Sequence, residues 1–390
     1  MSTRRAFMRG AVCLGAGAAL WTTQMHRFFT PWSSDLEDVG PLPWRVRELL
    51  EAQLALWEES DQNAISAMRG FNPEWDLMGR TFLVLALADL SLRLPAESPR
   101  YLTVIDRIID DTSARLRDEG MHHYLLGYAR LGVWHSSPRS SLFIEGELAV
   151  MLGARRTVAE HDGYREAMSQ RVRAIRELMQ GGPVLCGESY PDECWMFCNA
   201  MALVALRMSE HLGGPSEERL RSAWVRTARE RLIDPGSGML VSSFAWNGTH
   251  KDGPEGSTIW LTAKSLLLVD EDLAREQYRL ARASLGREVL GFAYATEWPV
   301  EWRGPTDIDS GSIVPVLDAS AASSGHAIVA ARAFSDHNFY RSLVGSLELA
   351  GFPRREGGRR RYLAGNQVGD AVILHGMVHG PLWRRLAGEA

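Results

Sequence analysis

Ser189-Tyr-Pro-Asp-Glu-Cys-Trp-Met-Phe-Cys-Asn199 gathers two carboxylates, two cysteines and bulky aromatics around one proline, and an apolar run, Ala200 to Leu206, follows it. Proline is tolerated in the first turn of a helix, where its missing N–H is not needed. Ser189 or Tyr190 then stands at the N-cap, and Asp192 and Glu193 fall in the first turn, where the helix dipole favours acids. On such a helix Cys194 and Cys198 share one face, continued by Met201 and Ala202 at spacings of three and four. The stretch therefore reads as the opening of a long buried helix over 192–211.

Working outward, apolar residues recur at helical spacing almost everywhere, and alternating runs are scarce. The expected helices are 43–59, 73–93, 100–117, 141–152, 160–179, 192–211, 216–232, 257–268, 273–289, 316–334, 337–350 and 370–387. Proline and glycine separate them, as in Gly181-Gly-Pro183, Gly213-Gly-Pro215 and Asp234-Pro-Gly-Ser-Gly238. Asn72 before Pro73 reads as an N-cap. Paired helices without a fixed-length repeat suggest six hairpins closed into a ring, an all-α (α/α)6 barrel. The long irregular segments 118–140, 239–256 and 290–315 are expected at one mouth, where binding residues concentrate. No linker or low-complexity segment divides residues 23–390, which read as a single domain.

The 390 residues carry 43 basic and 48 acidic side chains, a net charge of −5. That balance offers no basic face for nucleic acid. The implied partner is a small molecule. Residues 1–22 pair arginines, Arg4-Arg5, with Phe-Met-Arg and a short Gly/Ala-rich apolar run. This is the pattern of a twin-arginine export signal, too short to span a membrane. It predicts a periplasmic or otherwise exported protein with no stable membrane span once the signal is cleaved. Cys13 would leave with the signal, and Cys186, Cys194 and Cys198 would remain. An odd count leaves at least one thiol unpaired within the chain, and two cysteines four apart on a helix rarely reach disulfide geometry. Each cysteine is readable as an apolar filler or as a functional thiol.

Metal binding is not expected. No histidine stands at ligand spacing from the cysteines, and His375 and His379 form an i,i+4 pair without a third ligand in the sequence. Glu147 lies in an apolar helix, Phe143-Ile-Glu-Gly-Glu-Leu-Ala-Val-Met151. It is either a desolvated acid facing the barrel or a glutamate on the outer face. Glu297-Trp298-Pro-Val-Glu301-Trp302, with Asp307 and Asp309, sets tryptophans beside carboxylates. That combination suits sugar stacking and glycosidic acid–base work, or a solvated loop anchored on aromatics.

Several segments, taken in order, resemble the bacterial linalool dehydratase-isomerases: Pro191-Asp192 with Cys198-Asn199, Leu232-Ile-Asp-Pro-Gly-Ser-Gly238 followed by Ser242-Ser243, Ser257-Thr-Ile-Trp260, and Pro305-Thr-Asp-Ile-Asp-Ser-Gly311. The resemblance covers roughly residues 120–350. It implies an (α/α)6 barrel, a pocket for a small apolar terpenoid alcohol, cofactor-independent acid–base dehydration or isomerisation, and ring-shaped homo-oligomers. Cys198 matches a pocket cysteine of that family. Ser189 stands where the family has its other reactive cysteine, Tyr190 replaces a glutamate, and Glu147 occupies the place of a catalytic histidine. The expected catalytic set is Cys198, Glu147, Asp192 and Ser189. Tyr190, Glu193, Cys194, Trp195, Ser243, Trp260, Asp307 and Asp309 are expected to bind substrate. The alternatives are a carbohydrate-active enzyme of glycoside hydrolase, lyase or epimerase type on the same barrel, and a non-catalytic ligand-binding barrel.

Overall fold

The computed structural model describes residues 21–32, 40–59, 62–136, 140–306, 311 and 313–389. Asp307, Asp309 and most of the expected signal lie outside them. Helices α1 (Trp44–Glu58), α2 (Gln62–Phe71), α3 (Pro73–Arg93), α4 (Ser98–Glu119), α5 (Leu142–Val158), α6 (Asp162–Gly181) and α7 (Met196–His211) occupy the first half. They are followed by α8 (Glu218–Arg231), α9 (Gly256–Leu266), α10 (Glu271–Ser284), α11 (Ala321–Ala333), α12 (His337–Ala350), α13 (Gln367–Val378) and α14 (Pro381–Ala387).

The odd-numbered helices from α3 to α13 pack side by side, α3 on α5, α5 on α7, and so on until α13 closes on α3. Helices α4, α6, α10 and α12 back them from outside, and α1 covers the junction of α13 with α4. The protein is an (α/α)6 barrel. Burial explains why the two rings differ in sequence. An inner helix has neighbours on every side, so α5 buries every residue from Leu142 to Thr157. An outer helix buries one stripe. In α10 that stripe is Leu273, Ala274, Gln277, Tyr278 and Ala281, with charged residues between. Each fully buried Leu, Ile or Val contributes roughly 1.5–3 kcal/mol, so the ring is held mainly by its own apolar walls.

Caps fix where inner helices begin. Asn72 Oδ1 accepts the amide N–H of Glu74 at 2.8 Å with Pro73 in the first turn, as the sequence predicts. Ser320 caps α11 through the Ser323 amide, and Asn366 caps α13 through that of Gly369. The long connections 120–141, 182–195, 232–255 and 285–320 all lead into inner helices. They therefore gather at the N-terminal end of the inner ring, which is the mouth.

Some expected elements differ. The helix expected from 192 begins at Met196, and Cys194–Trp195 is instead a short strand, β1. It pairs with β2 (Ser243–Phe244), which pairs with β3 (His250–Asp252). Cys194 and Cys198 consequently do not share a helix face. The segment 273–289 is α10 followed by β4 (Gly286–Val289), which pairs with β5 (Phe292–Ala295). The start of 316–334 is taken by β6 (Ile313–Val314) pairing with β7 (Ala319–Ser320). A further hairpin, β8 (Pro353–Glu356) with β9 (Arg359–Tyr362), precedes α13. The expected last helix is broken at His379-Gly380, where Gly380 has φ of 147°, and α14 turns across the foot of α3 and α5. No described helix is long and apolar enough to cross a membrane.

Candidate functional site

At the mouth, residues 187–195 form a tight turn held by one buried carboxylate. Glu188 accepts the amide N–H groups of His135 (3.2 Å) and Asp192 (2.7 Å) on Oε1, and that of Ser136 (2.7 Å) on Oε2. Charge-assisted bonds of this kind are the strong ones. They tie the loop before α5 to the turn before α7. Tyr190 and Glu193 close the turn through paired backbone bonds. Gly132 lets the two segments approach, because a Cβ there would stand 2.4 Å from that of Pro191. Asp192 takes up left-handed backbone, φ 53°. A non-glycine residue pays for that conformation and keeps it only where the surroundings impose it.

The turn presents its polar groups to a rim of aromatic rings. Asp192 Oδ1 accepts the Trp246 amide N–H at 3.1 Å and lies 3.6 Å from His135 Nε2, with both side chains about half exposed. His135 stacks on Trp246 with ring centroids 5.3 Å apart. Lys251 Nζ donates to the Asp192 carbonyl oxygen at 2.5 Å. Glu193 Oε1 accepts from Trp195 Nε1 at 2.5 Å and from the Tyr128 hydroxyl at 3.2 Å. Tyr128 stacks on Tyr190 at 4.6 Å, and the buried Tyr190 hydroxyl donates to Glu74 and accepts the Leu126 amide N–H. Asp192, Glu193 and Trp195, from the opening stretch, thus meet Tyr128, His135 and Trp246, which the sequence did not place with them.

Beneath this layer, inside the barrel, lie buried ionisable groups. Glu147 is 1% exposed, faces inward between Thr81 and Lys264, and leaves Oε1 without a hydrogen-bond partner. Burial pushes its carboxyl up to about 8, with Thr81 and Lys264 opposing the shift. Near neutral pH it is a carboxylic acid. Cys198 lies close by, buried; desolvation raises its thiol well above the usual range, the Ser189 hydrogen bond opposes that, and the charges of Glu147 and Glu74 add to it. This holds Cys198 as a thiol, not the thiolate a nucleophilic role needs. Burial likewise raises Cys194, and raises Cys186 to about 12. All three are free cysteines.

Other expected positions are committed elsewhere. Ser189 is buried, its hydroxyl receiving the Trp195 amide N–H and its carbonyl oxygen the Ser141 hydroxyl. Ser243 donates to Asp252 at 2.5 Å on the β2–β3 pair. Trp260 does not line the interior: its ring packs against Tyr278 and Phe339, on α10 and α12, and Nε1 donates to Ser323 at 3.1 Å. An indole pointing between the rings is a packing residue. Glu297 is buried and accepts from Ser257 and Ser320, joining α9 to the start of α11. Trp298 and Trp302 stack 5.7 Å apart in the same loop.

No family model matches the chain, and no curated protein matches it significantly. Solved structures do share its fold. The unsaturated glucuronyl hydrolase of Bacillus sp. GL1, responsible for the degradation of glycosaminoglycan, aligns with TM-score 0.54 and 13% identity over 85% of this chain and 96% of its own. A substituted form of UGL with dGlcA-Glc-Rha-Glc aligns with TM-score 0.54 and 14% identity, over 85% of this chain and 95% of its own. A GH76 α-mannanase of Bacteroides thetaiotaomicron reaches TM-score 0.44 at 11% identity, over 80% and 87%. The two glucuronyl hydrolase structures bear out the (α/α)6 barrel read from the sequence.

Proposed function

We propose that the protein is a carbohydrate-active enzyme whose saccharide lies across the mouth, against Tyr128, Trp195 and Trp246. The carrying observation is the pairing of half-exposed carboxylates with aromatic planes on a rigid turn, centred on Asp192 in its left-handed conformation beside His135 and Trp246. Aromatic faces take the apolar faces of sugar rings, and carboxylates supply acid and base to a glycosidic bond. In this reading Asp192, next to the imidazole of His135, exchanges the proton. Glu193, held by Trp195 and Tyr128, is the second carboxylate. The same fold carries saccharide hydrolysis in the glucuronyl hydrolase; that likeness favours the class and leaves the sugar open. Export through the Arg4-Arg5 signal would bring the enzyme to extracytoplasmic glycans.

A second reading has one observation behind it: Glu147, a neutral carboxylic acid beside the Cys198 thiol inside the barrel. An acid of raised pKa could protonate the hydroxyl of a small terpenoid alcohol, as the linalool dehydratase-isomerase resemblance implies. The two readings part in one experiment. The mature protein is incubated with oligosaccharides, including chains with unsaturated uronic ends, and with acyclic terpenols, and products are identified. We expect saccharide turnover that falls at least a hundredfold in Asp192→Asn and Glu193→Gln while the melting temperature is kept. Terpenol turnover lost in Glu147→Gln and kept in Asp192→Asn would replace the first reading by the second. Saccharide binding without turnover would make the protein a lectin-like barrel.

A further inference from the structure

At the end of the inner ring away from the mouth, Asp89 in the last turns of α3 meets His375 in the last turn of α13 and His379 just beyond it. All three are buried, His375 completely. One ligand atom of each lies within 4.8 Å of the other two, and among the described residues this is the one such group of three. His375 Nδ1 is 3.8 Å and His379 Nδ1 is 3.9 Å from the same Asp89 oxygen. These separations are too long for hydrogen bonds. Neither Nδ1 has a hydrogen-bond partner, and neither does His375 Nε2. Leaving a polar group buried and unsatisfied is costly, so two such rings side by side call for an occupant.

Around a tetrahedral cation bonded at about 2.1 Å to imidazole nitrogen and carboxylate oxygen, the ligand atoms stand roughly 3.4 Å apart. The separations of 3.8 and 3.9 Å are wider than that by about half an ångström, a distance that small rotations of the two imidazoles close. The geometry points to a buried site for a divalent transition-metal ion, zinc foremost, held by Asp89, His375 and His379 and clamping the closed end of the barrel. The donor set, two imidazoles and one carboxylate, suits zinc and its neighbours and does not suit magnesium or calcium. Support around the ligands is already built. The other Asp89 oxygen accepts the amide N–H groups of Gly380 (3.3 Å) and Leu382 (2.8 Å), which fixes the carboxylate and ties α14 to α3. Trp383 stands edge-on to His379 with centroids 5.0 Å apart. The competing cation is Lys264, whose ammonium rests on Trp383, 3.2 Å from the ring centroid, within electrostatic reach of Asp89.

A site this enclosed fills during folding, so the test is made by refolding. Untagged full-length protein is unfolded in chelator, refolded with zinc or without it, desalted, and assayed for metal by mass spectrometry. We expect one zinc per chain and a melting temperature at least 5 °C above that of protein refolded without metal. In His375→Ala and His379→Ala the zinc content should fall at least tenfold. Because either variant could fail to fold, the unaltered chain is also refolded with cobalt(II). Its visible d–d bands should appear without a thiolate charge-transfer band. Failure of the unaltered chain to take up stoichiometric ion, unchanged zinc content in His379→Ala, or a thiolate band placing the ion at cysteine would each overturn the assignment. None of these readouts depends on the proposed chemistry at the mouth.

Discussion

Glu147 is a carboxyl placed where its charge is costly, and that cost has a sign that can be measured. Its folded pKa of about 8 stands above the ordinary carboxyl value. Between roughly pH 4.5 and 8 the folded protein therefore keeps a proton that the unfolded chain has lost. The stability this group allows is fully present below that window and declines as pH rises through it, by at most about 1.4 kcal/mol per pH unit. The groups acting on it are Thr81 and Lys264, with the Cys198 thiol close by. Glu147→Gln removes the titration, and we expect it to flatten this limb: urea unfolding should show the variant gaining on the parent between pH 5 and pH 8. An identical pH slope in both proteins would mean that Glu147 is ionised in the fold. The apolar neighbours of Glu147 made the buried reading available in the sequence. Nothing marked Glu188, whose importance comes from three amides on two separate segments.

Helices with a buried stripe declare themselves by periodicity, and the caps at Asn72 and in Asp234-Pro-Gly-Ser-Gly238 sit where residue type places them; Asp234 Oδ2 accepts from both the amide and the hydroxyl of Ser237. Strands of two residues carry no period. That is why β1 and β2 went unread, and why the Pro191 signal, which serves a turn as well as a helix, moved the start of α7 forward. The 190–193 turn is held from outside by Glu188. Glu188→Gln removes the charge from three hydrogen bonds and leaves an amide N–H facing a donor. We expect a loss of roughly 2–3 kcal/mol. Amide hydrogen exchange at Ser136 and Asp192 should accelerate more than exchange in α5 or α7. Uniform acceleration across the protein would mean that the carboxylate does not hold the mouth in particular.

For the whole molecule, alternating helix pairs of uneven connection were enough to suggest the barrel, because inner and outer helices obey different burial rules and both leave traces in composition. Which residues the ring brings together was not legible, since Asp89 and His375 belong to opposite ends of the alternation and meet only on closure. We propose that residues 23–390 fold as one domain. The closed inner ring then predicts one unfolding transition, with far-ultraviolet circular dichroism and tryptophan fluorescence superimposing across a urea series. Two separated transitions would divide the chain and remove that proposal.

The seam where α13 meets α3 also bears on biosynthesis. Every other contact of the inner ring joins inner helices separated in the chain by a single helical hairpin arm, whereas this one waits for α13. Until then α3 offers one apolar flank to solvent, an open side of the kind that makes nascent chains prone to aggregate. Helix α1 backs α13 at this seam and carries strand β9 on it, and β9 is tied in turn to α12, where Tyr362 donates to the buried Glu348 at 2.7 Å and Arg360 pairs with that carboxylate. The barrel is latched when its last inner wall and the hairpin just before it reach a helix, α1, that was made at the start.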